Sequence, residues 1–442
     1  MSLTPPQKVQ KLQAALHDKA KAAPGYRFDL LYDKLYRADI LKYAYVCCRS
    51  NGGAPGVDGE TFENIKAYGE DRWLEALAEE LRTKTYRPSA VRRVWIPKSD
   101  GTQRPLGIPT IRDRVVQTAA VLVLGPIFEA DLQPEQYAYR PERSALGAVE
   151  AVNDLLQRGY TEVVDADLSG YFDTIPHAEL MKSVARRVSD RNLLHLIKMW
   201  LEAPVEERDG RGRVTRTTRN KDEGRGTPQG GVLSPLLANL YMRRFVLGWK
   251  TLGYAGRFDA RIVNYADDFV ICTRRGRADQ VMAAMRSMME RLRLTVNETK
   301  TRVCRLPDET FDFLGYTFGR LYSPRTGVSW IGPQPSKRKV QSVCREASEM
   351  LSQRTTGKDV RVGIRDLNLK LRGWSNYFRV GTVVRSRETV MKHTRRRLRW
   401  WLCRKHKIPG GGYARFPNAC LHGELGLYLI PRVQSGLPRA NS

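Results

Sequence analysis

Apolar and polar positions along this chain fall into blocks of two periods. Over residues 1–90 the apolar positions recur at helical spacing, as in LYDKLYRADILKYAYVCCRS, until the Gly-rich NGGAPGVDGETF breaks the pattern and predicts a loop. The period changes over 91–110, where VRRVWIPK, SDGT and QRPLGIP predict a strand, a turn and a second strand, with Asp100-Gly101 as the hairpin signal. Helical spacing returns over 111–160, interrupted by YAYRPERS. Within it, the uncharged stretch Val115 to Phe128 predicts a buried helix and is too short to cross a bilayer.

Further on, TEVVDADLSGYFD (161–173) starts as an apolar strand and ends in carboxylates, with helical periodicity to about residue 202. The polar, Arg- and Gly-rich segment 206–226 predicts an exposed hairpin before GTPQGGVLSPLLANLYM opens another helix. RIVNYADDFVICT (261–273) predicts two short apolar strands joined at Ala266-Asp267-Asp268, and after a helix at 277–293 KTRVCRL and FDFLGYTF are again strand-like. From about residue 335 three basic helices are expected, at 336–353, 361–378 and 385–406. Residues 407–442 are rich in Gly, Pro and Arg and show no clear period.

Composition adds a partner to this outline. The 442 residues carry 75 Lys and Arg against 47 Asp and Glu, a net charge of +28 with a pI near 10.0. Such an excess fits a protein that works against a polyanion, and makes an acidic substrate or a membrane surface a poorer match. With 41% hydrophobic residues the chain can bury real cores, in two to four units at about 100–200 residues each. The seven cysteines are scattered, so neither a zinc module nor a disulfide framework is indicated; together with an N-terminal stretch that lacks an apolar core, this predicts a reduced cytoplasmic setting.

The chemistry concentrates in Tyr265-Ala266-Asp267-Asp268. Two adjacent acids inside an apolar hairpin either form a polar turn or hold a cation, because ionised carboxylates are costly there unless paired or ligated. Asp167, at the end of the earlier strand, shifts the balance: if the two strand units lie side by side, Asp167 and Asp267 converge on one sheet edge. A carboxylate cluster of that kind suits Mg²⁺. Asp165, two residues away, is read as supporting.

Several motifs in order resemble the reverse transcriptase/maturase proteins encoded by bacterial group II introns. They are Gly56-Val57-Asp58-Gly59; Ile96-Pro97-Lys98 with Arg104-Pro105-Leu106-Gly107-Ile108-Pro109; Asp113-Arg114-Val115-Val116-Gln117; Tyr139-Arg140-Pro141; Asp167-Leu168 with Phe172-Asp173; Thr227-Pro228-Gln229-Gly230-Gly231; the Asp-Asp box; Asn297 with Lys300-Thr301; and Phe313-Leu314-Gly315. The run Leu371-Arg372-Gly373-Trp374-Ser375-Asn376-Tyr377-Phe378 is similar to the thumb signature of the same proteins. The likeness covers roughly residues 30–440.

The resemblance implies an α+β right-hand polymerase: an N-terminal extension and fingers over 1–150, a ferredoxin-like palm of antiparallel sheet and helices over 151–330, an α-helical thumb or X domain over 331–400, and a basic nucleic-acid-binding segment over 401–442. It implies catalytic carboxylates at Asp167, Asp267 and Asp268, which with the backbone carbonyl of Leu168 would ligate two Mg²⁺ ions, Mn²⁺ being a possible substitute. Lys98 and Arg104 would meet the triphosphate of a dNTP, where they would neutralise charge on the leaving pyrophosphate. Phe172 would be a steric gate against a ribose 2′-OH, its rival reading being an ordinary core aromatic. Gln229 would contact the nucleotide or templating pair, and Asp173 reads as a helix N-cap.

From Val384 to Arg415 eleven cations stand against Glu388 alone, with Trp400, Trp401 and Tyr413 between them. Arg395, Arg396, Arg397, Arg399, Arg404 and Lys405 are therefore expected to grip structured RNA, which the resemblance implies is intron RNA, the rival being a solvated helix face. The expected partners are that RNA, an RNA template with a DNA primer, and target DNA, with no membrane; no His and paired-Cys endonuclease module follows, so the endonuclease-lacking form is the nearer likeness. Its expected place is the bacterial cytoplasm, on the nucleoid when bound to DNA. Two alternatives keep part of this reading: a domesticated relative in host defence, CRISPR spacer acquisition or DNA repair, and a splicing-only RNA-binding protein. Oligomeric state is not legible.

Overall fold

The computed structural model describes residues 3–97, 101, 103–323 and 326–431. Its strands in chain order are β1 (Val91–Pro97), β2 (Gln103–Ile108), β3 (Glu162–Ala166), β4 (Val205–Arg208), β5 (Val214–Thr217) and β6 (Ala260–Tyr265). They continue with β7 (Asp268–Thr273), β8 (Arg302–Arg305), β9 (Phe311–Phe313), β10 (Tyr316–Tyr322) and β11 (Ser329–Pro335). The chain divides into two compact units: Met1–Ser144, Ala166–Phe269 and Gln280–Arg302 form one, and Ala145–Asp165, Val270–Asp279 and Val303–Ser442 the other.

In the first unit the uncharged stretch becomes the centre of the helix Ile111–Glu129, with Val115, Val116, Ala119, Ala120, Val123, Leu124, Ile127 and Phe128 all fully buried. Thr110 caps it by accepting the Asp113 amide at 3.1 Å, and the helices Gln7–Ala22 and Ala38–Asn51 pack on it. The expected hairpin of β1 and β2 forms, with Ile96 opposite Arg104 and Arg93 opposite Gly107. The 206–226 segment also pairs as a hairpin, but it is not free-standing. β4 runs parallel to β1 from Val91 opposite Val205, giving the order β2-β1-β4-β5, because the buried Val205 anchors the otherwise polar hairpin.

A further sheet takes the order β6-β7-β3-β8. In the second unit β9, β10 and β11 form an antiparallel meander, and the three basic helices appear as Lys337–Met350, Val360–Tyr377 and Val384–Lys405. Ser336 and Asp359 cap the first two, Asp359 Oδ1 accepting from the Arg361 and Val362 amides at 2.8 and 3.2 Å. Their apolar faces bury Leu367, Leu371, Val390, Leu398, Trp401 and Leu402. No described helix is long and apolar enough to cross a membrane.

Candidate active site

β6 and β7 are joined by two residues, Ala266 and Asp267. Ala266 sits at φ 57, a left-handed conformation that costs a non-glycine residue about 1–3 kcal/mol, and the buried Asn264 amide holds it by donating to the Ala266 carbonyl at 2.8 Å. The tight turn presents Asp267 at its tip and Asp268 as the first residue of β7. Asp268 opens the strand, where the sequence suggested only a turn position.

Asp167 follows β3, and the chain there pairs with the segment before Thr301. The Asn297 amide donates to the Asp167 carbonyl and the Ser169 amide to the Thr295 carbonyl, each at 2.9 Å, flanking an antiparallel bridge between Leu168 and Val296. In that arrangement the N–H and C=O of Leu168 itself point away from the 295–297 strand. The Asp167 side chain accepts from the Asn297 side-chain Nδ2 and from the Lys300 ammonium, both 3.0 Å from Oδ2. Asn297 and Lys300 are thus site residues to which sequence reasoning gave no role, although their motif was visible.

Desolvation, helped by the charge of Asp167, raises the Asp267 carboxyl above the usual carboxylate range; the Asp268 carboxyl is pushed up to about 6 by desolvation and then by the charges of Asp267 and Asp167. The three acids are therefore near enough to repel one another. Arg104, exposed on β2, and Lys300 oppose the rise. An all-oxygen, mutually repelling donor set of this kind fits a divalent cation. Among the described residues, however, no three His, Cys, Asp or Glu side chains stand as a ready metal cage. Of the expected ligand set of Asp167, Leu168, Asp267 and Asp268, the Asp167 carboxylate is paired with the Lys300 ammonium at 3.0 Å.

Phe172 lies in the short helix Tyr171–Thr174, half-buried, with Tyr171 packed edge-on at 5.7 Å between ring centroids. Its carbonyl accepts the Thr227 amide at 2.6 Å, tying it to the Thr227-Pro228-Gln229-Gly230-Gly231 loop. Asp173 is not an N-cap, since Gly170 takes that place; its Oδ2 accepts from Gln229 Nε2 at 2.9 Å. The Gln229 carbonyl accepts the Gly107 amide at 2.5 Å, and a Cβ on Gly230, at φ 107, would collide with the Gly107 carbonyl. The close backbone approach at Gly230 is thus to β2. Lys98 lies outside the described residues.

His177 steadies the same loop. Its imidazole bonds to the Gly226 carbonyl at 2.7 Å and burial pulls its pKa below 6.5. A depressed folded pKa gives stability that is present above 6.5 and lost as pH falls through the folded value, so the unfolding midpoint should drop as pH falls below 6.5. His177→Gln should flatten that drop in a denaturant titration; an unchanged pH profile would place the effect elsewhere.

In the second unit the helix Val384–Lys405 turns much of its charge inward. Arg399, 5% exposed, donates to the Phe416 carbonyl and Asn418 and lies over Tyr413. Arg397 donates to the Ser348 and Leu351 carbonyls, Lys405 to those of Thr356 and Lys358, and Arg395 to His422. Chain ends and helix termini leave carbonyls without partners, and Arg brings five donors to them. Of the six residues expected on RNA, Arg399 is therefore withdrawn from the surface, as is Trp401, 1% exposed. Arg396 and Arg404 remain exposed, Arg404 against Trp400, and Arg395 and Arg396 line a groove of about 1220 Å³ with Lys392.

Residues 96–318, which include all of this palm chemistry, match the reverse transcriptase (RNA-dependent DNA polymerase) family. The chain belongs to that family. Residues 340–415 match the group II intron maturase-specific domain, which spans the three basic helices. This reverse transcriptase is accordingly an RNA-directed DNA polymerase with a maturase domain, from a family that works on nucleic acid with divalent metal ions.

It is similar to protein YkfC of Escherichia coli, 33% identical over 351 residues, which are 71% of this chain and 89% of YkfC. It is also similar to the group II intron-encoded protein LtrA of Lactococcus lactis subsp. cremoris, 34% identical over 227 residues, 50% of this chain. The putative COX1/OXI3 intron 1 protein of Saccharomyces cerevisiae is 26% identical over 330 residues, 63% of this chain. The matches span only 36% of LtrA and 38% of the yeast protein.

Proposed function

We propose that this reverse transcriptase copies RNA into DNA from a DNA primer, assists the splicing of a group II intron RNA, and serves that intron's retrohoming into target DNA. The observation that supports the first part is the tight turn that presents Asp267 and Asp268, with Asp167 held by Asn297 and Lys300 at 3.0 Å, all within the residues 96–318 that match the reverse transcriptase family. The chemistry that two Mg²⁺ ions supply when bound, or Mn²⁺ in their place, is activation of an attacking 3′ hydroxyl and neutralisation of a leaving pyrophosphate. Asp167 and Asp267 would hold them, with Asp268 and the outward-facing Leu168 carbonyl completing the donor set.

Around that centre each side chain has one task. Arg104 would take charge from the dNTP triphosphate, as would Lys98. Phe172 would stand where a ribose 2′-OH must pass, and Gln229, oriented by Asp173, would meet the nucleotide or the templating pair. The maturase reading puts Arg396 and Arg404 on intron RNA phosphates, with Arg395, Arg397 and Lys405 shaping that surface. The cytoplasm is the expected setting.

Splicing of an intron RNA and RNA affinity measured against salt test the second part. The double substitution Arg396→Gln, Arg404→Gln should weaken RNA binding and flatten its salt slope by about 0.7–0.9 for each phosphate that is no longer neutralised. Arg399→Gln should instead lower the unfolding midpoint. A salt slope unchanged in the double variant would take these arginines off the RNA backbone.

A further inference from the structure

The Tyr139-Arg140-Pro141 segment holds a strained aromatic beside the polymerase centre. Tyr139 adopts φ 54 and is 54% exposed, an unfavourable state for a bulky side chain in both respects. Its surroundings leave it no alternative. Arg140 is locked by Glu129 at 2.6 Å and by the Gln133 and Gln136 carbonyls, each at 2.7 Å. The fully buried Gln136 donates to the Asn239 carbonyl at 2.9 Å, and Asn239 donates back to the Ala138 carbonyl at 2.6 Å.

The same segment is fastened to the strand that carries the catalytic turn. The Tyr137 amide donates to the Asn264 carbonyl and the Asn264 amide to the Glu135 carbonyl, both at 2.9 Å, around a parallel bridge between Gln136 and Asn264. Asn264 is also the residue whose side-chain Nδ2 donates to the Ala266 carbonyl. Desolvation, then the charge of Asp267, push the Tyr139 phenol above its usual value. Strain that a buried network enforces, and that serves only to present a ring to solvent, is a feature of binding sites.

We propose that Tyr139 is a nucleic-acid contact of the polymerase site, its ring lying against the sugar and base edge of the primer's 3′-terminal nucleotide. An RNA–DNA hybrid with a wide, shallow minor groove offers that edge to a protruding side chain, and an aromatic face supplies apolar contact without reading sequence. The inference rests on Asp167, Asp267 and Asp268 being the polymerase centre.

Three variants separate ring, hydroxyl and backbone. Tyr139→Gly removes the ring at a φ that glycine adopts freely, Tyr139→Asn does so with a residue tolerant of this region, and Tyr139→Phe keeps the ring. The dissociation constant for an RNA template annealed to a DNA primer should rise about tenfold in the Gly and Asn variants and stay within about twofold in the Phe variant, with the KM for dNTP little changed. Gly and Asn variants that bind the hybrid like wild type, a Phe variant as weak as Gly, or an effect confined to the dNTP KM would overturn the proposal. Wild-type protein unable to extend any primer would instead overturn the polymerase reading beneath it.

Discussion

Asp267→Asn is expected to reduce primer extension on an RNA template by about a thousandfold or more, the several kcal/mol that a cation-binding carboxylate is worth at a charge-developing centre. The fold should not suffer. The Asp267 carboxyl is already held above its usual range by desolvation and by Asp167, so its ionised form is a cost to the folded state at neutral pH. Replacing it with a neutral isostere should leave the unfolding midpoint unchanged or raise it. Single-nucleotide incorporation and thermal unfolding of the same preparation check both halves, and residual extension within tenfold of wild type would remove Asp267 from the centre. Splicing of an intron RNA, which the proposal assigns to the basic helices of the other unit, should persist in this variant.

Gly230→Ala should be the most damaging single methyl group in the first unit. At φ 107 an L-residue is strained, and its Cβ would run into the backbone carbonyl of Gly107, which has no side chain to move aside. Strain and overlap together cost about 2–5 kcal/mol unless the loop shifts. If it shifts, the 2.5 Å bond from the Gly107 amide to the Gln229 carbonyl breaks, and Gln229 leaves Asp173. Displacement of positioning groups by about 1 Å costs on the order of a hundredfold in rate, so dNTP incorporation should fall by about that factor. An Ala variant with wild-type stability and turnover would mean the packing of this loop on β2 has no bearing on the site.

Much of the site was legible because its chemistry is short-range. Asp267 and Asp268 stand between two short apolar runs that predict both strands, and Asp167 ends the strand-like stretch that begins with Val163 and Val164. What Asp167 touches was not legible: Asn297 and Lys300 lie 130 and 133 residues away, and nothing in a run of polar residues says which carboxylate it will meet. Asp173 misled for a similar reason. An acid next to a helix start reads as a cap, while its actual partner, Gln229, comes from a loop 56 residues on.

The basic helices show the limit from the other side. Charge counts from Val384 to Arg415 pointed to a polyanion, and the match of residues 340–415 to the maturase-specific domain is in keeping with a nucleic-acid partner. They could not say which arginines face water, because a guanidinium that serves carbonyls inside a fold and one that waits for phosphate have the same sequence signature.

By itself, then, the sequence determined the elements, the carboxylate hairpin and the need for a polyanionic partner, since these follow from local periodicity and charge. Only the tertiary structure decided that Asp167 is held by Lys300, that Gly230 closes on Gly107, that Arg399 is interior and that Tyr139 is forced outward. Each of those depends on two chain segments meeting, and the geometry of that meeting is set by packing and by unsatisfied backbone groups, which no window along the chain contains.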